Sequence, residues 1–100
     1  MTPEQQKKSS TRRLRIARRK WLYEYLLDKQ CIDCGEDDPV VLEFDHMRDK
    51  KLSIADAVNQ RSLRFLKNEI AKCEIRCANC HRRKTAIEQR WTMARLHYSI

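Results

Sequence analysis

Two Cys-x-x-Cys pairs, Cys31-Ile32-Asp33-Cys34 and Cys77-Ala78-Asn79-Cys80, constrain this chain more than any other feature. Four thiolates suit a tetrahedral Zn²⁺, and sulfur softness selects zinc or iron–sulfur over magnesium or calcium. Forty-two residues separate the pairs, so a whole substructure is inserted between the two knuckles. Four protein ligands leave no open coordination position, which makes this metal structural. A chain of 100 residues buries only about two-thirds of its unfolded surface, so zinc binding would supply folding free energy that a small core lacks. The fifth cysteine, Cys73, reads as a buried thiol at the end of a helix.

Pro3 suits a helix start, and no Gly or Pro follows until the first knuckle, so residues 4–29 read as one helix. Its apolar residues Leu14, Ala17, Trp21 and Tyr25 recur at spacings of three and four, with arginines and lysines on the other face. Gly35, the only glycine, follows the first knuckle where a turn needs positive φ. The β-branched and apolar run Val40 to His46 reads as a strand, and Lys51-Leu52-Ser53 as a short returning strand. Ser53-Ile54-Ala55-Asp56 starts a short helix. A second spans Leu63 to Lys72, Glu74-Ile75-Arg76 is an extended link, and a last helix runs from His81 with Ile87, Trp91, Ala94 and Tyr98 on one side. The expected organisation is a basic N-terminal helix (1–30) leading into a zinc-stapled core with a C-terminal helix (31–100), together one α+β domain.

The net charge of +8 is unevenly placed. Residues 1–20 carry +7 and residues 81–100 carry +4, while the middle carries −3. Basic flanks around an acidic centre point to polyanion contacts at the flanks, or to solvated helix faces. No apolar run spans a membrane, and the basic N-terminus lacks the apolar region of a signal peptide. A reducing cytoplasm is therefore the expected setting, where clustered cysteines mean metal more often than disulfides.

The insert carries the chemistry. A strand ends in Asp45-His46, and His81 directly follows the last cysteine. The stretches Leu42-Glu43-Phe44-Asp45-His46 and Cys77-Ala78-Asn79-Cys80-His81-Arg82-Arg83-Lys84-Thr85 resemble the HNH endonuclease family over about residues 31–85. The resemblance implies a ββα-metal nuclease unit with flanking N- and C-terminal helices that hydrolyses DNA phosphodiester bonds to 5′-phosphate and 3′-hydroxyl ends. In that reading His46 is the general base. Asp45 and His81 hold a catalytic Mg²⁺ or Mn²⁺. Arg82, Arg83 and Lys84 position the phosphate, and Arg12, Arg13, Arg15, Arg18, Arg19 and Lys20 add general affinity for double-stranded DNA. Phage and mobile-element proteins carry similar motifs, which implies a place in a larger DNA-processing complex and, for a phage-encoded chain, the host cytoplasm. One departure stands out: where the family usually has its middle Asn, this chain has Lys72, with Asn68 and Asn79 nearby and Cys73 adjacent.

Two rival classes share the composition. A non-catalytic zinc-containing DNA-binding module predicts salt-sensitive binding without cleavage. A protein-interaction adaptor predicts no DNA affinity at moderate salt.

Overall fold

The computed structural model describes residues 3–100, with side chains from Thr11 onward. Helix α1 spans Pro3–Leu26, strand β1 Leu42–His46, helix α2 Ile54–Gln60, helix α3 Leu63–Ile70, strand β2 Cys73–Cys77, helix α4 Ala78–Glu88 and helix α5 Thr92–Tyr98. The two strands form an antiparallel sheet in which Leu42 faces Cys77, Asp45 faces Glu74 and His46 faces Cys73. The fold is thus a small α+β arrangement with a four-cysteine cluster.

The knuckles close the open end of this hairpin. The Cys31 N–H donates to the Glu36 carbonyl (2.8 Å), and the Gly35 N–H returns to the Cys31 carbonyl (2.9 Å) with Gly35 at φ 82°. Only a residue without Cβ takes that backbone at no steric cost. The Ile32 N–H donates to the Ile75 carbonyl (2.9 Å), which docks the first knuckle against β2. Cys77 then caps α4, its sulfur accepting from the Cys80 N–H at 3.4 Å.

Two apolar clusters meet at Phe44 and Tyr25. One gathers Leu26 and Leu42 around Cys31, Cys77 and Cys80. The other packs Ile54, Ala57, Val58, Leu66 and Ile70 of α2 and α3 against Trp21 and Leu22 of α1. Trp21 and Tyr25 stack at 5.5 Å and pack against the core, whereas Leu14, Ala17 and Tyr23 are exposed, so the apolar stripe expected along α1 is covered only toward its C-terminal end. Ser53 and Ser62 cap α2 and α3 by accepting from the Asp56 and Phe65 N–H groups.

The structure departs from the sequence reading at four places. Helix α1 stops at Leu26, where the tighter bonds Leu27 N–H to Glu24 O and Lys29 N–H to Leu26 O unwind it before the knuckle. Residues 51–53 form no strand, because the Lys51 and Leu52 N–H groups donate to the Glu69 carboxylate instead. The extended link 74–76 is itself the returning strand, β2. The last helix is two helices. Arg90 turns left-handed at φ 55°, while Trp91 N–H bonds Ala86 O (2.9 Å) and Arg90 N–H bonds Ile87 O (3.2 Å). That is a Schellman ending with arginine where glycine is usual.

Candidate metal centres and the charged face of the hairpin

The sulfurs of Cys31, Cys34, Cys77 and Cys80 all lie within 4.8 Å of one another. Tetrahedral zinc with bonds of about 2.3 Å sets its sulfurs about 3.8 Å apart, and Cys34 and Cys77 sulfurs stand at 3.7 Å. The donor set therefore fits zinc. Cys31, Cys77 and Cys80 are buried, whereas Cys34 is exposed on the knuckle. Burial raises the Cys31 thiol, but the amides around Cys77, Cys34 and Asp33 outweigh it and bring it to about 6. Cys80 is pushed up to about 12 by the adjacent Cys77 thiol and then by burial. Sulfurs this close cannot all ionise without a cation among them. Cys73 stays outside the group: its thiol donates to the Glu69 carbonyl at 3.3 Å, and burial pushes it up to about 11.

Residues alternate across a strand, and β1 separates its two functional candidates accordingly. Glu43 and Asp45 face α4. There His81 Nδ1 lies 2.8 Å from Glu43 Oε1, and His81 Nε2 lies 3.5 Å from Asp45 Oδ1. The other Asp45 oxygen is held by Arg76 at 2.8 Å and by the Lys84 ammonium at 3.0 Å. Burial would raise the Asp45 carboxyl, but Lys84, His81 and Arg76 together hold it below the usual range. Lys84 also pairs with Glu88 at 2.9 Å, so both carboxylates keep it charged. Arg76 is buried and binds three carboxylates, Asp33 at 2.8 Å, Asp45 at 2.8 Å and Glu74 at 3.2 Å.

His46 turns the other way. Its Nε2 is buried 3.3 Å from the Glu69 carboxylate of α3, without the alignment of a hydrogen bond. Glu69 is 1% exposed and also accepts from the Lys51 and Leu52 N–H groups and from Lys72. Lys72 in turn donates to the Asp49 carbonyl at 2.9 Å. The loop after His46 is therefore tethered by Lys72.

The structure brings Asp45 and His81 together and leaves His46 with α3. Of the expected phosphate contacts, Arg12, Arg13, Lys20, Arg82 and Arg83 are exposed, and Arg15 is half-buried. Arg18 is not free for DNA: it donates to the Val58 carbonyl (2.8 Å) and the Asn59 carbonyl (3.2 Å) at the end of α2. Arg19 grips the Asn59 side chain at 2.8 and 3.1 Å. Lys84 is spent on Asp45 and Glu88. Sequence reasoning missed Glu43, Glu69 and Arg76. Glu43 was readable, since it stands two positions before Asp45 and shares its face. Glu69 and Arg76 act across elements, and no local spacing signals that.

Comparison of the chain with protein-family models, with curated proteins and with solved structures finds no match. No helix among the described residues is long and apolar enough to cross a membrane.

Proposed function

We propose that this chain is a metal-dependent endonuclease that hydrolyses DNA phosphodiester bonds on the α4 side of the hairpin. The observation that carries the reading is the Glu43–His81–Asp45 line. A carboxylate on Nδ1 fixes the tautomer and leaves the Nε2 lone pair aimed at Asp45, the usual way a protein prepares a histidine to ligate a metal. Two ligands of one octahedral ion with bonds of about 2.1 Å stand about 3 Å apart, close to the 3.5 Å found here. Asp45 and His81 would hold a Mg²⁺ or Mn²⁺ ion, leaving its other positions to water and phosphate. When bound, such an ion neutralises charge on the phosphate and eases departure of the leaving oxygen.

The chain's own residues supply the rest. The β1–β2 hairpin backed by α4 supports a ββα unit. His46 ends β1 directly after Asp45 and would take the water's proton. Its Nε2 lies buried against the Glu69 carboxylate, so Nδ1 would be the nitrogen that takes the proton. Arg82 and Arg83, one turn into α4, would hold phosphate oxygens beside the site.

One observation favours a second reading. His46 contacts α3 while Asp45 already has two cationic partners, as a structural ion-pair network would have it. On that reading the chain is a zinc-containing DNA-binding module without catalysis. Supercoiled plasmid with Mg²⁺ or Mn²⁺ separates the two. The nuclease reading expects nicking that falls at least 100-fold in His46→Ala and His81→Ala. Salt-sensitive binding without nicking by the wild type overturns it in favour of the module.

A further inference from the structure

Two hollows of about 340 and 330 Å³ lie side by side on α4 and share Arg82 and Trp91 as their common wall. The first contains Glu43 and His81. The second runs between α4 and α5, under Arg83, Met93, His97 and Tyr98. Trp91 is half-buried where the chain turns between the two helices. It is held there by its backbone bond to Ala86 and by its indole N–H on Gln89 Oε1 at 3.3 Å. The Arg82 guanidinium lies 5.2 Å from its ring centre. On the far wall His97 meets Tyr98 edge-on at 5.1 Å.

We infer that the second hollow binds an unpaired nucleobase of the DNA. Its lining is aromatic and apolar within, cationic at the rim through Arg82 and Arg83, and contains no acidic side chain. That combination matches a flat π-system carried on a phosphate chain, since stacking on Trp or Tyr is sequence-tolerant and arginines hold the backbone. A neutral apolar peptide would leave the two guanidinium groups without counter-charge. A base inside an intact duplex is already stacked, so only a bulged, frayed or extruded base gains by entering. The preferred substrate is then DNA with an unstacked nucleotide. That the hollow adjoins the cut site rests on the nuclease reading above; base binding itself does not.

The test uses duplexes with one 2-aminopurine, either bulged or paired, titrated with the full zinc-loaded protein without added Mg²⁺ or Mn²⁺. Plasmid nicking with Mn²⁺ is measured in parallel. The bulged duplex should bind roughly tenfold tighter, as one stacked base implies, with quenching of the base's fluorescence. Trp91→Leu should lose most of that preference, and Tyr98→Leu, on the exposed far wall, part of it. The second variant keeps the test decisive if the first does not fold. Equal affinity for the two duplexes, or a preference that survives both substitutions, overturns the base pocket. Bulge preference without nicking removes the nuclease reading and leaves the pocket standing, whereas nicking without bulge preference does the reverse.

Discussion

Glu43 Oε1 lies 2.8 Å from Nδ1 of His81, a contact between β1 and α4 that determines which ring nitrogen turns toward Asp45. The carboxylate is half-exposed and contributes little to packing. Glu43→Ala should therefore leave the melting temperature nearly unchanged. It should weaken Mn²⁺ binding and nicking by about 10–100-fold, the usual loss when a ligand histidine loses its outer carboxylate. Calorimetric titration of Mn²⁺ into both proteins checks this; an unchanged affinity would remove Glu43 from the site.

The four-thiol clamp closes the hairpin at the Leu42–Cys77 end and sits inside one of the two apolar clusters. One zinc per chain is expected by elemental analysis. Stripping it with a strong chelator should lower the melting temperature by roughly 10 °C or more, because ligand binding and folding are one free energy here. Cys77→Ser should cost more than Cys34→Ser, since Cys77 also caps α4 and is buried. A melting curve indifferent to chelation contradicts the clamp.

Glu69 makes stability acid-sensitive in a defined window. Its hydrogen bond from Lys72 is the largest influence; burial opposes it, and the amides of Lys51 and Leu52 assist it. The result is a carboxyl at about 2 against an ordinary 4.5. A folded value below the unfolded one means that the stabilisation is complete above about pH 4.5 and is lost as pH falls from there toward 2. Wild-type melting temperature should drop steeply across that interval. Glu69→Gln should melt several degrees lower at neutral pH and show a flatter profile, and a variant as steep as the wild type would assign the acid sensitivity elsewhere.

Arg76 joins three segments through Asp33, Asp45 and Glu74. Removing one partner of a buried charge cluster leaves the others uncompensated. Arg76→Met should destabilise by about 3 kcal/mol in urea unfolding, the lower end of that range because Lys84 still faces Asp45. A loss under about 1 kcal/mol would mean that solvent screens the network as it does a surface pair.

If Arg82 and Arg83 neutralise phosphates, the salt dependence of DNA binding measures them directly. Each phosphate contact adds about 0.9 to the slope of log affinity against log salt. The Arg82→Ala, Arg83→Ala double variant should lower the slope by about 2, while Arg18→Ala, whose guanidinium is held by α2 carbonyls, should leave it unchanged.

The zinc-type donor set, the strand ending at His46 and the packed C-terminal end of α1 were legible because each is a local pattern of spacing or period, whereas Leu14 and Ala17 keep that spacing yet are exposed. The placement of β2 was not. Cys73–Cys77 is five residues between a helix end and a knuckle, too short for alternation to register, and only pairing with β1 makes it a strand. The break at Arg90 was hidden for a different reason. Its left-handed backbone lacks the glycine that marks such endings, and Ile87, Trp91, Ala94 and Tyr98 keep helical spacing across the gap. At the site, the pairing of Asp45 with His81 follows from the knuckles' positions. The turn of His46 toward Glu69 depends on where α3 packs, which the β1 sequence does not encode.

The tether at Lys72 makes the order of the neighbouring loop depend on charge. An amide would fasten the loop beyond β1 with neutral hydrogen bonds; here an ammonium does it, steadied by the glutamate three positions earlier on the same helical end. Order in the loop after β1 should therefore soften as ionic strength rises, whereas a loop tied by neutral amides would not.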